Sequence, residues 1–202
     1  MMISSRAAAL FAFALLGSAM AQAEDWKLAK DEAGIQIYLS DVQGSKYKAY
    51  RGVTTIASDM ATLRALQEDV TGSCSWIHAC AEQRLLKHEG AESWVYTRFD
   101  MPWPVTARDS VLHVVTEESA DGSLLRTLEG QPRFMPEKDG NVRVASLEGY
   151  WRLVPKGAGK VEVTYQVHTE PGGSVPSWLA NSFVVDAPFN TLEQLRAMAE
   201  KR

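Results

Sequence analysis

Hydrophobic and polar residues alternate along most of this chain, which is the pattern of half-buried β-strands. The alternation predicts two early strands at 34–38 and 47–56, followed by six more. Glycine-containing turns separate the later strands, and such short connections favour an antiparallel meander. The six later predicted strands span 79–88, 93–101, 108–118, 124–130, 142–155 and 160–168.

Helical spacing of apolar residues replaces the alternation in two places. The first predicted helix spans 59–70, with Ser58 as its N-cap. The second begins at Pro176 and Ser177, and Pro188 inside it predicts a kink or a break because proline removes a backbone hydrogen bond. A short helical turn is expected at 26–31. The apolar stripe of the second helix contains Leu179, Phe183, Phe189, Leu192, Leu195 and Ala199.

The order of these elements predicts one α+β domain. Two strands, a helix, a long antiparallel meander and a terminal helix follow one another without a linker or repeat. A curved antiparallel sheet gripping the terminal helix is the natural arrangement, because the concave face of the sheet must be covered.

The first 23 residues have the three parts of a secretory signal peptide. A short start that carries Arg6 precedes the apolar segment 7–16, and the small residues Ala21 and Ala23 form a cleavage signal. The alternative, a membrane anchor, would need roughly 20 apolar residues. We therefore expect a signal peptide at 1–23, a domain at 24–202, and a periplasmic or secreted location.

The charge balance argues against a nucleic acid partner. The formal net charge is −4, and loss of Arg6 with the signal peptide shifts it to about −5. Nucleic acid binding would call for a basic patch, and lysine and arginine are not clustered in this chain.

Cys74 and Cys80 are the two cysteines of the chain. Export favours a disulfide between them, with free thiols as one alternative. A metal site that uses His78 as well is the other, but zinc needs three or four ligands in known spacings and no second cluster exists. We expect no metal.

The segment 170–181, with an acid, Pro171-Gly172-Gly173, Pro176, Trp178 and Asn181, resembles the junction into the terminal helix of START (StAR-related lipid transfer) domains. Further motifs of that family follow in the same order along the chain. They are Trp26 with Gly34-Ile35-x-Ile37-Tyr38, Tyr47-Lys48-Ala49, Trp76, Pro102-Trp103-Pro104, Arg108-Asp109, Gly149-Tyr150-Trp151 and Thr164-Tyr165-x-x-His168.

The resemblance implies the helix-grip fold, an apolar internal cavity and one bound lipid, a phospholipid or a fatty acid, with no catalysis and no cofactor. A monomer with transient membrane contact is expected. Two other classes stay open: a helix-grip enzyme acting on an apolar substrate, and a periplasmic adaptor that acts through a protein partner. The chain lacks Gly-x-Ser-x-Gly and His-Glu-x-x-His, the motifs of two common hydrolase classes.

Strand parity and the resemblance together suggest which residues line the cavity. The candidates from strands and terminal helix are Thr97, Phe99, Ser110, Leu112, Leu147, Trp151, Trp178, Leu179, Phe183 and Leu192. Arg108 and Asp109 are expected to support the mouth without touching the ligand. Phosphatidylcholine-type recognition is not expected, because Thr97, Ser110 and Leu147 replace aromatic residues of that subgroup and Ser73 and Ile77 replace its charged pair.

The loop at 100–105 is the expected gate and membrane contact. Met101, Pro102, Trp103 and Pro104 form it, and the prolines keep it out of sheet pairing. The alternative is that Trp103 packs on the terminal helix as a static lid.

Overall fold

The computed structural model describes residues 25–175 and 177–201, and it shows an α+β domain with ten strands and two helices. The helices are α1 (Met60–Glu68) and α2 (Ser177–Ala199). The strands are β1 (Lys27–Glu32), β2 (Ile35–Ser40), β3 (Ala49–Ile56), β4 (Cys80–Glu89), β5 (Glu92–Phe99), β6 (Ala107–Glu118), β7 (Leu124–Gly130), β8 (Asn141–Arg143), β9 (Ser146–Gly157) and β10 (Lys160–Glu170).

One curved sheet contains all ten strands, in the order β1-β2-β3-β10-β9-β7-β6-β5-β4. These neighbours pair antiparallel, and only the short β8 pairs in parallel, with β6. Helix α2 lies on the sheet, where Phe189, Leu192 and Leu195 join the main hydrophobic core. The predicted helix-grip arrangement is confirmed.

Helix α1 begins one residue later than predicted. Asp59 is its N-cap and accepts a hydrogen bond from the Thr62 backbone N–H at 2.7 Å. The Ser58 hydroxyl instead donates to the Ala199 carbonyl and ties α1 to the end of α2. Both residues are good caps, and the contact with α2 decides between them.

Helix α2 continues through Pro188, so a break at this residue was a wrong prediction. Pro188 is buried, and apolar residues after it hold the helix on the sheet. The helix approaches the sheet closely at Gly52 of β3, where an added Cβ would lie 2.5 Å from the Leu192 side chain.

Two other local predictions were wrong. Residues 26–31 do not form a helical turn, because Lys27–Glu32 is an edge strand paired with β2. Its residues are mostly charged and exposed, so its sequence lacks the alternation of a half-buried strand. The predicted strand 142–155 is two strands. Between them, the Val144 N–H donates to the Asp109 backbone carbonyl of β6, and the Ala145 N–H donates to the Glu170 backbone carbonyl of β10. The chain thus changes its pairing partner from β6 to β10.

The predicted disulfide is present between Cys74 and Cys80. It connects the short 3-10 turn Ser73–Ser75, which follows α1, to the first residue of β4. Trp76 lies within this connection, is buried, and contacts Trp151 edge-on at 5.8 Å between ring centres. The bridge therefore fixes a turn that forms part of the core.

Candidate ligand cavity

A mostly apolar cavity of about 200 Å³ lies between the concave face of the sheet and α2. Side chains of β3, β6, β10 and α2 form its walls. A smaller space of about 100 Å³ extends it toward α1. Five residues line both spaces, so the two spaces are adjacent, and together they are called the tunnel. The shared residues are Ile77, Phe99, Ser110, Leu147 and Tyr165.

Most of the residues predicted from parity lie along this tunnel. The strand residues Thr97, Phe99, Ser110, Leu112, Leu147 and Trp151 line it, as does Phe183 from α2. Leu179 lines an adjacent recess with Pro102 and Asp186. Leu192 lies elsewhere, in the core against Gly52. The Trp178 side chain is outside the described residues.

Two tyrosines that were not among the predicted lining residues also line the cavity. Tyr50 of β3 and Tyr165 of β10 lie with ring centres 5.4 Å apart, and Tyr165 stacks on Trp151 at 3.8 Å. Burial, and then the neighbouring Tyr165, raises the pKa of Tyr50 well above its usual value. Burial also raises the pKa of Tyr165. Both hydroxyls therefore stay neutral.

Arg108 lines the cavity and is only 4 % exposed. Its guanidinium donates to the backbone carbonyls of Thr106 and Gly172. Thr106 directly follows the gate loop, and Gly172 lies in the junction before α2. Burial lowers the pKa of this guanidinium. Arg108 thus ties two segments together, and its side chain is also part of the cavity wall.

Asp109 points to the opposite face of β6, as alternation requires. It forms an ion pair with Arg143 at 2.8 Å, and the two side chains are 1 % and 3 % exposed. Arg143 also donates to the carbonyls of Pro132, Met135 and Pro136, so the pair holds the loop after β7 against the outer face. The hydrogen bonds that Arg143 donates to the Asp109 carboxylate raise the pKa of Arg143.

The far end of the tunnel, next to α1, is more polar than the middle. Arg126 of β7 is buried there and donates to the Gln67 carbonyl. Burial lowers the pKa of Arg126, while Glu68 raises it. Gln83 donates to the Thr97 hydroxyl at 2.9 Å. Mostly apolar residues line the space between this end and Arg108.

The predicted gate loop lies at the edge of the cavity. Met101 lines the main cavity and Pro102 lines the adjacent recess. Trp103, at the tip, is 91 % exposed. Its ring therefore does not pack on α2 as a static lid in this structure.

The START domain family model matches residues 12–201. The chain belongs to the START domain family. An uncharacterized protein of Pseudomonas aeruginosa is 66 % identical over 190 residues, 94 % of this chain and 93 % of that one. Human phosphatidylcholine transfer protein is 27 % identical over 164 residues, 78 % of this chain and 75 % of that one.

A solved structure gives the same fold. The STAR-related lipid transfer protein from Xanthomonas axonopodis is 39 % identical, with a TM-score of 0.81 over 87 % of this chain and 98 % of that one. Within residues 25–175 and 177–201 of this START domain, no helix has the length and hydropathy to cross a membrane. The same residues contain no group of three or more side chains placed to hold a metal ion.

The alternation of inward and outward residues along β3 and β10 would have indicated the two missed tyrosines. Tyr165 stands between the buried Val163 and Val167 on the inward face of β10, and Tyr50 is two residues from Gly52 on β3. The hydrogen bond from Arg108 to Gly172 could not be predicted from local sequence, because the two residues are 64 positions apart.

Proposed function

We propose that this START domain is an exported lipid-binding and transfer protein that holds one acyl lipid, a phospholipid or a fatty acid, and does no chemistry on it. The observation that carries the proposal is the mostly apolar cavity between the sheet and α2. Relatives whose names describe lipid transfer support it.

Energetics favour a carrier with such walls. Each buried methylene contributes about 0.8 kcal/mol relative to water, so the gain grows with the length of acyl chain that the cavity encloses. A bilayer offers a similar gain, so the protein needs only to match it for the lipid to exchange.

Exchange requires an opening, and we propose that the loop from Met101 to Pro104 provides it. The exposed Trp103 ring is amphipathic, and such rings favour the interface between water and bilayer. Since Met101 lines the cavity, a movement of this loop on the membrane would open the wall. Arg108 and Asp109 would keep the surrounding segments in place.

The location is proposed from the sequence and the disulfide. Residues 1–23, the expected signal peptide, lie outside the described residues, and 24–202 would be the exported domain. The Cys74–Cys80 bridge is typical of an oxidising compartment such as the periplasm. We propose a monomer.

Native mass spectrometry of the exported protein tests lipid binding. We expect about one acyl lipid per chain, co-purified or extracted from liposomes. Ala187 lines the cavity and Ala197 is exposed on the same helix. Ala187→Phe should therefore reduce lipid loading several-fold, and Ala197→Phe should not. A parent protein that neither carries nor extracts lipid would contradict the proposal, and a chemically altered lipid would indicate an enzyme.

A further inference from the structure

Arg108 and Ser110 form a polar pair on one wall of the mostly apolar cavity, whose lining also includes Lys48 and His78. They stand two positions apart on β6, so both side chains point to the same face of the sheet. Arg108 is 4 % exposed and Ser110 is 2 % exposed, and both line the main cavity. The pair is therefore shielded from bulk water and open to a ligand.

Both groups have unused hydrogen-bonding capacity. The Arg108 Nε and the Ser110 hydroxyl are buried and have no hydrogen-bond partner among the residues that the structure describes. The other ties of Arg108 go to two backbone carbonyls, which orient the guanidinium without neutralising its charge. Buried polar groups are rarely left without partners, and a buried charge least of all. An acceptor that arrives with the ligand would satisfy both.

We propose that Arg108 and Ser110 bind the anionic oxygens of the lipid, a carboxylate or a phosphate. This inference rests on the proposed lipid-binding function and names the chemistry that the site selects. Guanidinium groups bind both oxyanions through paired, charge-assisted hydrogen bonds, and a hydroxyl can donate one more. The head group then lies beside Thr106 and Gly172, and the acyl chain extends past Phe99 toward Trp151.

The opposite orientation would place the head group at Arg126 and Gln67. These side chains also have a buried nitrogen without a partner in the described part of the chain. Arg126, however, lines the smaller space next to α1, whereas Arg108 lines the main cavity together with Met101 of the gate loop. Since the proposed opening is at this loop, we assign the head group to Arg108.

Three probes that share an 18-carbon monounsaturated chain distinguish binding of the anionic head group from binding of the acyl chain. They are oleate, oleoyl lysophosphatidate and oleyl alcohol. Their affinities are measured with the exported protein by displacement of a fluorescent fatty acid. Ser110→Ala should weaken one or both anionic probes about tenfold, and Arg108→Met should weaken them further, as expected for hydrogen bonds to charged groups. Both variants should bind oleyl alcohol within about twofold of the parent, since burial of the chain is unchanged.

Ser123→Ala is the matched control. The Ser123 hydroxyl is also buried without a partner in the described chain, but it lines none of the spaces of the tunnel. Its loss should leave all three affinities unchanged. If Arg108→Met does not fold, Arg108→Lys, which keeps the charge but not the guanidinium, should weaken the anionic probes selectively.

The results identify the ligand chemistry or overturn the inference. Selective loss for oleate alone indicates a carboxylate, and selective loss for lysophosphatidate alone indicates a phosphate. Equal losses for the anions and the alcohol mean that the pair is only structural. Selective losses in Arg126→Met, with none in Ser110→Ala, mean the opposite orientation. If the parent binds the alcohol but neither anion, this inference fails and lipid binding stands, whereas no binding of any probe contradicts both.

Discussion

Asp109 and Arg143 connect the outer face of the sheet to a loop that would otherwise lie free. Their ion pair is almost fully buried, and Arg143 holds three carbonyls of the loop at the same time. Removal of one partner from such a pair leaves a buried charge without compensation, which is more damaging than the loss of the attraction itself.

Asp109→Ala should therefore lower the free energy of unfolding by about 3 to 5 kcal/mol, measured by urea denaturation. Glu89→Ala removes an exposed partner of Lys87 and should change it by less than about 1 kcal/mol. Equal small effects of the two substitutions would contradict the structural role of the buried pair.

Trp103 offers a contrasting residue, because it contributes nothing visible to packing. Trp103→Ala should slow lipid transfer between liposomes several-fold, since the ring that would enter the interface is lost. Thermal unfolding should be nearly unchanged, as is usual for an exposed side chain. A drop in stability of about 3 kcal/mol or more, as for a core tryptophan, would show that the residue packs inside the protein.

At the scale of elements, the disulfide joins the turn after α1 to the edge strand β4, and α2 packs on β3 near the other side of the sheet. The disulfide closes a small loop of six positions, and small loops restrict the unfolded chain less than large ones. The α2 contact depends instead on Gly52, where backbone and Leu192 approach too closely for a side chain.

Replacing Cys74 and Cys80 together by serine should cost about 2 kcal/mol of unfolding free energy. The variant should still fold and bind lipid, because the core around Trp76 does not depend on the bridge alone. Chemical denaturation of the oxidised protein and the variant under the same conditions measures the difference. Complete loss of folding in the variant would contradict this estimate.

At the scale of the whole molecule, alternation predicted the strands of the meander because a sheet with one buried face imposes a period of two on its sequence. The same reasoning failed for Lys27–Glu32, an edge strand without a buried face. The apolar stripe of α2 indicated that Leu192 is buried but not whether it meets the sheet or the cavity. The role of Arg108 depends on contacts with residues that are distant in the sequence, and no local pattern predicts such contacts.

The opposite orientations of Arg108 and Asp109 have a consequence for how the sheet assembles. A shift of β6 by one residue exchanges the faces on which all its side chains lie. In a shifted sheet, a carboxylate would point into the apolar tunnel and a guanidinium would meet Arg143 across the outer face. Electrostatic repulsion thus opposes a shifted register, in addition to the exposure of apolar side chains. The two adjacent, oppositely charged residues therefore favour the native alignment of β6.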